Sequence, residues 1–342
     1  MATTFAHGQA VLFEFFGDGE FDIQGYSVAG AGDVNADGTP DFIVGVPQLG
    51  TTGGARVYSG MDGTLVWSLA GDNDADWFGY SVAGAGDTDC DGYDDLIVGA
   101  PFDDNGGEDS GMARVYSGRT GLLLHQFDGA SQGYQLGHSV SGVGDVDGDL
   151  CTDFVIGSHL EESGGINPGR ARVYSGASGA VIYTFEGDDD LDAFGYAVSG
   201  AGDVNHDGTP DIAVGALLND DSHEDAGSVY VFSGLTGAQL HRFDGLGKGE
   251  DFGFDVASAG DVDGDDYADV IGGTIFGFAG SVPGAGQARV YSGRTGTEIY
   301  RFDGDFLADG LGWSVSDIGD INGDQFGDLV VGAPFNDDNG GA

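Results

Sequence analysis

Six copies of one acidic loop carry the chemistry legible in this chain. Each reads Asp-x-Asp/Asn-x-Asp, with a further Asp four residues on. Positions 1, 3, 5, 7 and 9 of the first three loops are Asp33, Asn35, Asp37, Thr39 and Asp41; Asp87, Asp89, Asp91, Tyr93 and Asp95; and Asp145, Asp147, Asp149, Cys151 and Asp153. In the last three they are Asp203, Asn205, Asp207, Thr209 and Asp211; Asp261, Asp263, Asp265, Tyr267 and Asp269; and Asp320, Asn322, Asp324, Phe326 and Asp328. Side-chain oxygens at positions 1, 3 and 5 converge when the chain curls tightly. The backbone carbonyl of position 7 adds a ligand, and the Asp at position 9 can bind through both oxygens. Such a donor set suits calcium, a hard cation that takes about six to eight oxygens. Strand-like runs flank the loop and no Glu stands at position 12, so it is not an EF-hand.

Glycine supplies the tight turn. It stands at position 6 in loops one, two and four as Gly38, Gly92 and Gly208. Loops three, five and six have it at position 4, as Gly148, Gly264 and Gly323, and place Leu150, Asp266 and Gln325 at position 6. If position 6 requires a positive φ, Leu150 is the least suitable occupant. Loop three is therefore expected to bind most weakly, with calcium in five or six of the loops. Carboxylates crowded into one loop repel, and an ion that binds only the native state adds to its stability. The expected role of calcium is structural.

The loops also set the architecture. Their first Asp residues stand at 33, 87, 145, 203, 261 and 320, giving steps of 54, 58, 58, 58 and 59 residues. A step across the two termini of 55 residues (22 + 33) would close the series into a circle of six. Periods of this length mark propellers, solenoids or arrays. Each repeat holds four strand-like runs, in the second Tyr80–Gly86, Asp95–Pro101, Ala113–Ser117 and Leu122–Phe127. No segment has a long helical period. The expected fold is all-β: one domain over 1–342, a six-bladed β-propeller of four-stranded antiparallel blades. Gln9–Phe15 is expected to return as the outer strand of the C-terminal blade and latch the ring. Its third strand would fall on Met1–Phe5, which matches the repeat poorly.

Phe78-Gly79 before the second loop and Gly99-Ala100-Pro101 after it spell the FG-GAP repeat, and the motif recurs in Phe194-Gly195, Phe252-Gly253 and Gly332-Ala333-Pro334. The chain resembles the integrin α-subunit propeller family over nearly its whole length. The resemblance implies a propeller fold and calcium-holding loops. The integrin ring has seven blades against the six counted here.

Asp and Glu number 58 against 10 Lys and Arg, a net charge of −48. That excludes nucleic acid as a natural partner and disfavours an anionic membrane. Six calcium ions would offset 12 charges and leave about 36 of the 48, so metal alone does not account for the acidity. Cys90 and Cys151 lie in neighbouring loops; a disulfide is open to them, but the spacing does not demand one, and they read as incidental small residues. No hydrophobic run reaches membrane-spanning length. Met1–Thr4 does not begin a secretory signal. Calcium loops nevertheless favour an extracellular or cell-surface location, with a signal removed or the domain excised from a longer chain.

The connections on the face opposite the loops vary between repeats, and specificity must come from what is not repeated. The fifth-repeat connection is apolar, with Ile275, Phe276, Phe278 and Val282, and is the candidate ligand-binding segment. The acidic runs Asp188–Asp192 and Asn336–Asn339 read as solvated loops. His125 and His241 share a repeat position with Tyr300 and read as packing; His138 replaces Tyr80. No catalytic constellation emerges. The expected function is a non-catalytic, monomeric binding or adhesion module for a protein or glycan ligand. The alternatives are a carbohydrate-binding lectin and the propeller scaffold of a polysaccharide-active enzyme.

Overall fold

The computed structural model describes residues 13–17, 19, 22–48, 52–277, 284–306 and 308–336. These form 22 strands and no helix. Sheet one comprises β1 (Val28–Gly32), β2 (Asp41–Val46), β3 (Gly54–Tyr58) and β4 (Leu65–Ala70). Sheet two comprises β5 (Ser81–Gly86), β6 (Asp95–Ala100), β7 (Met112–Tyr116) and β8 (Leu123–Asp128). Sheet three follows as β9 (Val140–Gly144), β10 (Asp153–Ser158), β11 (Arg170–Tyr174) and β12 (Val181–Glu186). Sheet four is β13 (Phe194–Gly202), β14 (Asp211–Ala216), β15 (Ser228–Phe232) and β16 (Gln239–Asp244). Sheet five is β17 (Val256–Gly260), β18 (Asp269–Thr274), β19 (Gln287–Tyr291) and β20 (Glu298–Asp303). Sheet six has two strands, β21 (Ser314–Asp317) and β22 (Leu329–Gly332). Within each sheet the strands pair antiparallel with their sequence neighbours, as in propeller blades.

The apolar runs behave as their composition dictates. β6, β10, β14 and β18 are buried at every position, so each lies between two sheets. The first strands pack against one another in series, β1 on β5, β5 on β9, β9 on β13, β13 on β17 and β17 on β21. Ser27, Ser81 and Ser139 accept the N–H of Val82, Val140 and Val198 on the next sheet, and Asp255 does the same for Val315.

Close backbone approach explains the paired glycines. A Cβ on Gly99 would lie 2.0 Å from the Gly137 carbonyl oxygen, and Gly45, Gly157, Gly215 and Gly273 face the next sheet's Gly79, Gly195, Gly253 and Gly312 in the same way. No side chain fits there. Gly332 of sheet six has no such neighbour: its nearest atom is Ser314 O of its own sheet at 3.6 Å. Among the described residues, sheet six thus lacks the packing onto a following sheet that the other five have.

Outer-strand aromatics bolt sheet two to three, three to four and four to five. Phe127 stacks on Tyr174 at 4.3 Å, Phe185 on Phe232 at 4.0 Å and Phe243 on Tyr291 at 4.1 Å. Phe15 meets Tyr58 of sheet one at 4.2 Å. Phe13 covers Gly63, as His125 covers Gly179 and His241 covers Gly296. Residues 13–15 therefore sit on sheet one as an outer strand sits on the following sheet. They are not in a strand themselves, and the rest of the anticipated latch, 9–12, and the segment 1–5 lie outside the described residues. Phe302, the fifth-sheet equivalent, is 41% exposed where Phe243 is 5%. Phe243→Ala should lower unfolding free energy by about 3 kcal/mol, and Phe302→Ala by less than about 1 kcal/mol. Denaturant melts of the two variants check this.

Candidate metal centre

Each loop joins the first strand of a sheet to the second. A register shift ends the first strand in all five complete sheets, at glycines such as Gly32, Gly86 and Gly202 whose φ values are +69°, +70° and +74°. The bulge turns the first Asp out of the ladder. In loop four, Asp203 then accepts the N–H groups of Asp207 and Gly208 at 2.9 and 2.8 Å, Asn205 accepts that of Asp207 at 2.9 Å, and Asp207 accepts that of Thr209 at 3.0 Å. The other loops repeat the pattern, including loop three with Asp145, Asp147 and Asp149. Carboxylate oxygens of Asp87, Asp89 and Asp95, of Asp145, Asp147 and Asp153, and of Asp261, Asp263 and Asp265 lie within 4.8 Å of one another. That convergence fits one oxygen-ligated cation per loop.

Positive φ is needed at position 4 as well as position 6. Ala36, Cys90 and His206 adopt +56°, +59° and +58°, while Leu150, Asp266 and Gln325 adopt +77°, +67° and +76°. Each loop thus holds one glycine and one strained residue, and the placement of the glycine alternates without changing the curl. Leu150 is 86% exposed, so its side chain contributes little packing in return.

The Asp at position 9 does more than the spacing implied. Asp95 is fully buried; one oxygen accepts the Thr88 N–H at 2.9 Å and hydroxyl at 2.5 Å, the other the Gly118 N–H at 2.9 Å. Asp41, Asp153, Asp211 and Asp269 likewise receive N–H groups from Gly60, Gly176, Gly234 and Gly293, so the residue ties the loop to the turn between strands three and four. In loop six Asp328 instead receives the Asn322 amide at 3.1 Å. Burial pushes Asp95, Asp153, Asp211 and Asp269 up to about 6, against the backbone donors that pull them down. Arg119 and Arg294 lean toward Asp91 and Asp265 at 3.7 and 3.9 Å, which leaves most of the loop charge uncompensated.

Neighbouring loops are joined directly. Thr152 and Ala268 donate to the carbonyls of Asp87 and Asp203 at 2.9 and 3.1 Å. Cys90 and Cys151 form a disulfide with an S–S distance of 1.99 Å. They are not incidental small residues: the sheet-to-sheet packing brings position 4 of loop two against position 7 of loop three, a juxtaposition that a separation of 61 residues does not disclose.

The opposite end of the first strands opens on a cavity of about 740 Å³ at the middle of the six sheets. One aromatic ring from each sheet lines it: Tyr26, Tyr80, His138, Tyr196, Phe254 and Trp313. A sequence signal was present, since five of the six follow the glycine of a Phe-Gly or Leu-Gly pair and Tyr26 follows Gln24-Gly25, but only the packing of the sheets gathers them. The His138 Nδ1–H donates to the Tyr196 carbonyl at 3.0 Å, so its Nε2 accepts from the Tyr80 hydroxyl at 3.2 Å. Burial lowers His138 from 6.5 to about 4, and His159, stacked on it at 4.3 Å, lies well below its usual value. His125 and His241 pack as expected and face the carbonyls of Gly176 and Gly293 at 2.7 and 2.5 Å. Ile275 is buried and Phe276 is 54% exposed beside Trp313 and Phe335, whereas Phe278 and Val282 lie outside the described residues. The run Asp188–Asp192 is not simply solvated: Asp192 is buried against Asn219.

The FG-GAP repeat model matches residues 24–59, 78–116 and 194–232, which lie in sheets one, two and four. Integrin alpha-V of Gallus gallus is 33% identical over 216 residues, covering 56% of this chain and 20% of that protein. Integrin alpha-5 of Xenopus laevis is 31% identical over 210 residues, again 56% and 20%. The chain therefore spans about a fifth of the length of these relatives. The crystal structure of Saccharomyces cerevisiae Sqt1 is similar in fold, with a TM-score of 0.50 at 14% identity over 86% of this chain and 66% of that one. No helix among the described residues is long and apolar enough to cross a membrane.

Two outcomes follow from this geometry. Leu150→Gly should raise unfolding free energy by up to about 1 kcal/mol by relieving the left-handed backbone, which a denaturant melt will register. A lowered histidine pKa means that the unfolded chain binds the proton first. Stability is then complete above pH 6.5 and lost as pH falls toward the folded value of about 4. His138→Tyr, matching Tyr80 and Tyr196, should shrink the loss of stability between about pH 7 and 5 by about 2 kcal/mol.

Proposed function

We propose, from the three segments that match the FG-GAP repeat model and the similarity to integrin α subunits, that the chain is a non-catalytic, calcium-stabilised extracellular binding module. The carrying observation is the convergence of three carboxylates in loops two, three and five, in the first two with the buried Asp95 or Asp153 among them and with few cationic groups nearby. Calcium occupies five or six loops, and loop three binds most weakly because Leu150 holds its curl under strain. The sheets form one six-bladed ring, with residues 13–15 serving the last blade as its outer strand. Phe15 on Tyr58 supports this assignment. A disulfide between loops suits an oxidising compartment, which supports the extracellular placement.

A protein ligand docks on the face opposite the loops, on the aromatic mouth of the central cavity and the exposed Phe276 beside it. An acidic surface around aromatic faces favours a basic side chain from the partner.

Calorimetric titration of chelator-treated protein should return about five or six calcium ions per chain. Asp207→Ala should remove one of them, while Asp190→Ala, outside the loops, removes none. A stoichiometry of two or fewer would mean that most loops are plain turns.

A further inference from the structure

A fourth group of acids stands apart from the three carboxylate triads of the loops. Asp72 and Asp76 lie between β4 and β5, and Asp103 follows β6, all on the face opposite the loops. One carboxylate oxygen from each lies within 4.8 Å of the others. Asp76 and Asp103 are 2% and 0% exposed, and the Oδ2 atoms of both are buried without a hydrogen-bond partner.

Comparison with the equivalent places in the other sheets shows how unusual this is. The repeat register set by Asp87, Asp203 and Asp320 carries Asp76 onto Asp192 and Asp309, and Asp103 onto Asn219 and Asn336. There the second residue is an amide: Asn219 donates to Asp192 at 3.2 Å and Asn336 to Asp309 at 3.3 Å. In sheets three and five the buried acid at this junction is Glu161 or Glu250, and a strand-three arginine, Arg172 or Arg289, donates to it. Sheet two has an Asp where an amide would stand. Its strand-three arginine, Arg114, turns instead to Asp72 at 2.6 Å and Gln126 at 2.9 Å. Asn73 hydrogen-bonds Asp76, but the Oδ2 atoms of the two buried carboxylates lack the amide or guanidinium donor that the same junction has elsewhere. Such a pair is costly unless neutralised.

We infer that Asp72, Asp76 and Asp103 hold a divalent cation of the hard, oxygen-seeking class on the face opposite the six loops. The charges balance: three carboxylates and the Arg114 guanidinium sum to −2, which one such ion cancels. Asp103 keeps one oxygen on the Asn105 N–H at 2.9 Å, and Asp72 gives one to Arg114, so each still has an oxygen to offer. Water completes the shell, as is usual where few protein ligands meet a hard cation. The site joins the connections of sheets one and two, and an ion there would hold those connections at the rim of the proposed ligand face.

Asp103→Asn tests this, because it recreates the Asp–Asn pair that folds at Asp192 and Asp309. Calcium retained after dialysis, counted by plasma mass spectrometry, should fall by one ion per chain in the variant. Manganese-soaked crystals of the wild-type protein should give an anomalous peak among the three carboxylates, absent from the variant. Equal ion counts and no peak would overturn the inference and mean that the two acids share a proton instead. Asp207→Ala in the same experiment reports on loop four separately, so failure of the loops and failure of this site are distinguishable.

Discussion

One buried aspartate per repeat governs the loop-bearing face. Asp95 and its equivalents Asp41, Asp153, Asp211 and Asp269 open the second strand of each complete sheet. From there each holds its own loop through one oxygen and the turn between strands three and four through the other. Three parts of a sheet are thus fixed by a single carboxylate. Its two oxygens can accept about four hydrogen bonds or ligands in all, so the backbone donors do not exhaust it. Burial disfavours its charge, and the other acids of the loop add to the repulsion. A cation among these oxygens would reconcile the geometry with the charge and couple metal binding to folding.

The second constraint is the closeness of the sheets. Glycine carbonyls and α-carbons meet between successive sheets at distances that admit no Cβ, and aromatic rings stack where the outer strands cross. This packing brings loop two against loop three, where the Cys90–Cys151 disulfide forms. It also gathers six rings around one axis, although each belongs to a different repeat.

Much of this was legible in the sequence because it is periodic. The loop spacing, the four strands of the first five repeats and the burial of runs such as Asp95–Ala100 are local properties, and the structure places them where the pattern indicated; the sixth repeat shows two strands among the described residues. Glycine marks only one of the two left-handed positions in any one loop, so the sequence showed that a tight turn was needed but not that positions 4 and 6 both adopt positive φ in every loop. Contacts between repeats were not legible. The disulfide, the tie from Asp95 to Gly118 and the ring of Tyr26, Tyr80 and His138 depend on how sheets face one another. Asp192 and Asp76 were concealed for a further reason. In a chain this acidic, a buried aspartate looks like one of many solvated ones until its surroundings are known.

The most direct test of the account is the dependence of unfolding free energy on free calcium. Linkage makes the slope of that dependence a count of the ions bound by the folded chain and released on unfolding. The loops as described predict a steep rise in stability with calcium, equivalent to about five or six ions per chain, and a marked loss of stability under chelator. A folded chain whose unfolding free energy stays the same from chelator to saturating calcium would contradict the account, because the buried aspartates would then be holding the loops without an ion.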